Sequence, residues 1–187
     1  MKFQPLGING AWLVESEVFN DERGSFREWF KLDEIRNATG INFSVAQANT
    51  STSKKGVIRG IHYSLSREGQ AKWITCISGR ILDIIVDIRP GSPTFTKWVQ
   101  VELNSVNGKA VFIEAGLGHA FLSLESLSTA SYLLTSTYSP NDELGINPLD
   151  PEIGIKWPIS NSQMIISGRD QESNTLSQSN IEGKLPK

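Results

Sequence analysis

The stretch Lys72-Trp73-Ile74-Thr75-Cys76-Ile77-Ser78-Gly79-Arg80-Ile81-Leu82-Asp83-Ile84-Ile85-Val86-Asp87-Ile88 contains two apolar, β-branched runs broken by Ser-Gly-Arg. Runs this short, bounded by turn residues, read as strands rather than helices. The pattern repeats outward in Trp12-Leu13-Val14, Gly56-Val57-Ile58, Trp98 to Leu103, Val111-Phe112-Ile113 and Ala130 to Thr137. Between them lie Arg89-Pro90-Gly91-Ser92-Pro93, Asn107-Gly108 and Ser139-Pro140-Asn141-Asp142, whose residues favour chain reversal. Asn107-Gly108 between two apolar runs predicts a hairpin. Only Leu32 to Ala38 reads as a helix, short and stopped at Gly40. Strands and turns spaced by roughly 8–12 residues predict an all-β, antiparallel sandwich or barrel.

The chain has 187 residues, which suits a single domain over 1–187, and shows neither an internal repeat nor a linker. From about Ile159 the chain turns polar, with a polar tail from about residue 171, and roughly the last ten residues are expected to be loosely held. With 39% hydrophobic residues and a net charge of -2, it is too apolar and too weakly charged for a disordered chain. One cysteine excludes a disulfide framework and any multi-cysteine metal site. A pI near 5.7 argues against nucleic acid as a partner. Met1 to Gly7 shows no apolar signal core, and no apolar run approaches the ~20 residues of a membrane span. The expected location is the cytoplasm, away from any membrane.

The chemistry shows where polar residues interrupt apolar strands. Arg59-Gly60-Ile61-His62-Tyr63 continues the strand opened by Val57-Ile58, so alternation puts Arg59 and His62 on opposite faces unless Gly60 hosts a bulge. Lys72 opens one apolar strand, and Asp83 and Asp87 share a face with Ile81 and Ile85. Charges so placed are costly unless they are paired or line a wet cavity. The residues alone fit two arrangements, an exposed ion-pair lattice or the mouth of a small barrel. His62, His119, Tyr132 and Tyr138 each suit a structural role as well as a chemical one. The chain has only two histidines and no His-x-His, a poor basis for a metal site, and no phosphate-loop or dinucleotide fingerprint. Mid-strand Cys76 suits a buried hydrophobe better than a nucleophile.

Taken in order, Asp21-Glu22-Arg23-Gly24-Ser25-Phe26, Gln47-Ala48-Asn49, Gly56 to Tyr63, Gly69-Gln70-Ala71-Lys72, Asp87 to Thr94, Gly116 to Phe121, Tyr132 with Tyr138, and Ile153 to Pro158 form a specific set. With them the chain resembles the dTDP-4-dehydrorhamnose 3,5-epimerase family from roughly Phe19 to Asp170. The resemblance implies a cupin-type jelly-roll β-barrel with a few short helices, no metal or other cofactor, and a homodimer. It implies a dTDP-linked 4-keto-6-deoxy sugar as substrate and epimerisation at C3 and C5. His62 matches the general base, Asp170 its carboxylate partner and Tyr132 the general acid. Lys72 matches a substrate-contacting position and would stabilise the enolate. Tyr138 matches the aromatic that stacks on thymine. Arg23, Glu28, Gln47, Asn49, Arg59, His119 and Glu143 match substrate contacts, joined by Arg169; Arg23 and Glu28 would act together with a neighbouring subunit.

The chemistry fits those implied roles. Protons α to a ketone are removable, and an imidazole, titrating near about 6.5, is a suitable base. Inversion needs a second group on the opposite ring face, and an oxyanion needs a nearby cation. Gly145 to Pro151, Gly69 to Trp73 and Glu114 to His119 depart from rhamnose-pathway members and look more like epimerases of unusual deoxysugars, which invert C3, C5 or both. A non-catalytic sugar-nucleotide-binding cupin and a ketoisomerase are the rival expectations.

Overall fold

The computed structural model describes residues 1–187. Its strands are β1 (Lys2–Pro5), β2 (Ala11–Glu15), β3 (Val18–Asp21), β4 (Gly24–Arg27), β5 (Gln47–Ser53), β6 (Val57–Ser64) and β7 (Lys72–Ser78). They continue with β8 (Arg80–Asp87), β9 (Trp98–Asn104), β10 (Lys109–Ile113), β11 (Leu117–Ser123), β12 (Ser128–Leu134), β13 (Glu143–Gly145) and β14 (Ile165–Ile166). Three short helices accompany them: α1 (Leu32–Thr39), α2 (Gly168–Gln171) and α3 (Leu176–Ile181). As the sequence predicts, Gly40 stops α1; it is left-handed at φ 76 and its N–H donates to the Arg36 carbonyl.

Two sheets carry the fold. The first runs β1-β2-β10-β7-β12-β5, and the second runs β13-β6-β11-β8-β9, with β14 beside β6. All pairings are antiparallel except β14 with β6. β3 and β4 form a separate hairpin. Two antiparallel sheets packed face to face make the expected jelly roll of cupin-like type.

Burial explains why β7 and β8 read as continuous apolar runs. Ile74, Cys76, Ile81 and Ile85 join Val111, Ile113 and Phe121 between the sheets. Leu82, Ile84, Val86 and Ile88 point the other way, beneath Ile146, Ile153, Leu176 and Leu185. Trp73 leaves the first sheet on its outer face, against Ile35, Phe43 and Phe112. Covered on both faces, such strands need not alternate.

Two expectations are corrected. The terminal segment is not loosely held: Leu176 and Leu185 are buried, and the Tyr63 hydroxyl donates to the Lys184 carbonyl at 2.8 Å. Burying each leucine stabilises by about 2 kcal/mol, which outweighs the polar composition around them. Asn107-Gly108 lies at the bend between β9 and β10 but closes no hairpin, because β9 pairs with β8 and β10 with β2 and β7. The dipeptide sets local φ, with Gly108 at 66, while burial chooses the sheet each strand joins. No helix is long and apolar enough to cross a membrane.

Candidate active site

Apolar packing fills the space between the sheets except at one end, where polar side chains surround a cavity of about 220 Å³. The β6–β11 ladder sets its most important feature. His119 stands opposite His62, and Phe121 opposite Arg59, so β6 spends one residue more than β11 over this interval. That irregularity cancels the alternation, and Arg59 and His62 line the same cavity. Gly60, at φ 109, permits it: a Cβ there would collide with the His119 carbonyl oxygen.

Behind His62 stands Asp170, in the first turn of α2 and only 5% exposed. The His62 Nε2 lies 2.7 Å from Asp170 Oδ1, and the Gly60 N–H donates to Oδ2 at 3.4 Å. The Ser167 hydroxyl caps the turn by accepting from the Asp170 N–H at 3.1 Å. Burial pushes the Asp170 carboxyl up, but the bonds from His62, Gly60 and Ser167 outweigh it and leave it below the usual carboxylate range. A carboxylate only accepts, so we assign the His62 proton to Nε2, which leaves Nδ1 as the basic nitrogen.

Lys72, at the start of β7, is 6% exposed, and its Nζ donates to the His62 carbonyl at 3.3 Å. Burial pulls its pKa down to about 8, against the attraction of Glu143 and Asp83. The ammonium has two further protons with no protein acceptor, and Lys72 lines the cavity. His119 on β11 also lines it, its Nε2 2.8 Å from Asp83 Oδ2. Asp83 and Asp87 are both fully buried, which rules out the exposed ion-pair lattice. Asp87, at the end of β8, is not part of the cavity lining and is bound to Arg89, Ser92 and Thr94.

Tyr132 reaches the cavity from β12 of the first sheet, facing the second sheet that carries His62. Gln47 and Asn49 on β5 join it, linked by a 3.0 Å bond from Gln47 Nε2 to Asn49 Oδ1. The Tyr138 N–H donates to Gln47 Oε1 at 2.8 Å, holding a half-exposed ring at the rim. Glu143 accepts from Gln70 Nε2 at 2.7 Å, and the Arg169 guanidinium donates to the Glu143 carbonyl at 3.0 Å. Both Glu143 and Arg169 line the cavity.

Two predicted residues stand elsewhere. Arg23 pairs with Asp21 within the β3–β4 hairpin, its side chain 85% exposed, and Glu28 pairs with Lys31 at 2.8 Å. Neither lines this chain's cavity. Conversely, Ser51, Gln70, Phe121 and Leu134 line it and are not among the predicted site residues. Ser51 follows from period-two alternation after Gln47 and Asn49; Phe121 has no signal beyond an apolar strand. No group of three or more His, Cys, Asp or Glu side chains is placed to hold a metal ion.

A base held by a carboxylate, a buried cation beside it and a phenol on the facing sheet can move protons on a carbon acid. Known proteins are similar to this chain in sequence and fold. A dTDP-4-dehydrorhamnose 3,5-epimerase of Streptomyces griseus is 40% identical over 98% of this chain and 90% of its own length. The crystal structure of a 4-keto-6-deoxy sugar epimerase from the novobiocin biosynthetic gene cluster of Streptomyces spheroides superposes with a TM-score of 0.96. It is 41% identical and covers 100% of this chain and 92% of its own. A 3'-monoepimerase from Streptomyces bikiniensis, solved with dTDP-quinovose, gives a TM-score of 0.93 at 44% identity over 97% and 91% of the two chains. Residues 5–178 match the family described as dTDP-4-dehydrorhamnose 3,5-epimerase, and the chain belongs to that family of sugar-nucleotide epimerases.

Proposed function

We propose that this protein inverts C3 of a dTDP-linked 4-keto-6-deoxyhexose, without a cofactor, by proton removal and return through an enolate. The observation that carries the reading is the His62–Asp170 pair at 2.7 Å, with His62 on one sheet and Tyr132 on the other. His62 Nδ1 takes the C3 proton, and the electron pair moves to O4. Asp170 stabilises the imidazolium that forms. Lys72 meets the charge developing at O4. Tyr132 delivers a proton to the opposite ring face, which completes inversion, and the imidazolium and phenolate reset through solvent.

The sugar is assigned to the cavity of about 220 Å³ and the nucleotide to its rim. There Arg59 and Arg169 suit the diphosphate, since guanidinium groups bind its oxygens bidentately. Gln47, Asn49, His119 and Glu143 supply further polar contacts, and Tyr138 offers a face for thymine. Arg23 and Glu28 are carried on and just after a hairpin whose Phe19 and Phe26 are exposed. We read that hairpin as an arm that completes the rim of a second subunit in a homodimer.

Inversion at both C3 and C5 is the second reading, favoured by the family description and the Streptomyces griseus relative. Both readings are tested by incubating the protein with dTDP-4-keto-6-deoxyglucose and determining product stereochemistry by NMR. Inversion at C3 is expected, and C5 decides between the two; a sugar recovered unchanged overturns both.

A further inference from the structure

Asp83 and Asp87 lie on the same face of one strand, and both are fully buried. Their surroundings differ. Asp87 is saturated: it accepts from the Arg89 guanidinium and backbone and from the Ser92 and Thr94 hydroxyls. That is how a structural carboxylate is held. Asp83 accepts one bond, from His119, while its Oδ1 is buried with no partner at all. Asp83 does not line the cavity; His119 and Lys72 do. A buried, half-satisfied carboxylate costs stability unless nearby positive charge compensates it.

We propose, resting on the function given above, that Asp83 is a positioning residue: it holds the His119 proton on Nε2 and turns Nδ1 to the substrate, while its charge keeps the buried Lys72 ammonium in place. Because Nε2 is spent on Asp83 Oδ2, only Nδ1 of that ring is left for a ligand. Lys72 supplies the positive field that leaves the shared proton on the imidazole rather than on the carboxylate. The site thus holds two His–Asp pairs with different duties. The His62 pair moves a proton, and the His119 pair fixes the polarity of the wall beside it. Burial prevails and raises the Asp83 carboxyl above the usual carboxylate range, with His119 and Lys72 pulling against it.

The chain has only two histidines, so ring-nitrogen NMR of histidine-labelled protein gives two resolvable spin systems, assigned with His62→Asn. In the wild-type protein the His119 ring is expected as the Nε2–H form. In Asp83→Asn it is expected to become a tautomer mixture while the His62 signals stay in place. With dTDP-4-keto-6-deoxyglucose, kcat of Asp83→Asn should fall about 10- to 100-fold, the usual effect of removing an orienting partner, with KM within about threefold. A wild-type His119 protonated on Nδ1 alone overturns the proposal, and that measurement needs no variant to fold. An Asp83→Asn protein with an unchanged tautomer or unchanged kcat also overturns it. A wild-type protein that fails to turn over this substrate defeats the functional reading instead and leaves the tautomer result as the separate test.

Discussion

His62 and Asp170 are 108 residues apart in the chain, yet Nε2 of one stands 2.7 Å from Oδ1 of the other. The pair links β6 to the first turn of α2, so the C-terminal segment is part of the site. Replacing the carboxylate by an amide keeps the shape but no longer fixes the ring. For Asp170→Asn we expect kcat to fall about 10²- to 10⁴-fold, within the range seen when a histidine base loses its carboxylate. His62→Ala should abolish turnover. Both variants should bind dTDP within a few fold of wild type in calorimetry, and a large loss of affinity would place the pair in binding instead.

Tyr132→Phe separates the two halves of the reaction. Proton removal by His62 does not need the phenol, so solvent exchange at C3 should persist. Return of a proton to the opposite face does need it, so the inverted product should fall far behind exchange. Equal loss of exchange and inversion would take Tyr132 out of the acid role.

Lys72 sets function against stability. Its pKa falls from 10.5 to about 8 in the folded chain, equivalent to roughly 3 kcal/mol against the folded state. The folded state binds this proton less tightly than the unfolded state does. The penalty is therefore complete below about pH 8 and is relieved as pH rises toward 10.5. Lys72→Met should raise the unfolding free energy at pH 7 by about 1–3 kcal/mol while turnover is lost. In the wild-type protein, kcat should decline as pH rises through about 8, as the ammonium deprotonates. Urea unfolding and a pH–rate profile check the two claims.

Asp87 has the opposite sign. Burial would raise its pKa, but its bonds from Arg89, Ser92 and Thr94 prevail and lower it to about 2. Its contribution is present above the ordinary carboxylate pKa of 3.8 and is lost as pH falls toward 2. Asp87→Asn should cost about 1–2 kcal/mol at neutral pH and flatten the acid limb of the stability curve, leaving kcat near wild type. Acid titration of the unfolding midpoint tests this.

The sequence made the barrel legible through its apolar runs and turn residues, because local period and turn chemistry are short-range properties. It did not show which strands share a sheet, so Asn107-Gly108 misled: a turn dipeptide carries no information on its partners' burial. β5, Gln47–Ser53, lacks any apolar run and was visible only through its Gln-Ala-Asn motif. In the site, charges inside apolar strands pointed to Lys72 and Asp83, but only the β6–β11 irregularity decides that Arg59 and His62 share a cavity. The Asp170 contact depends on where α2 docks, a tertiary fact with no local signature. The tail misled for the same reason, since two leucines among polar residues suffice to anchor it.

The most direct test of the account is incubation of wild-type and His62→Ala protein with dTDP-4-keto-6-deoxyglucose in heavy water, with deuterium located by NMR. The account predicts deuterium at C3 with the wild-type protein and none above background with His62→Ala. No label with the wild-type protein, or equal labelling by the two proteins, would contradict it.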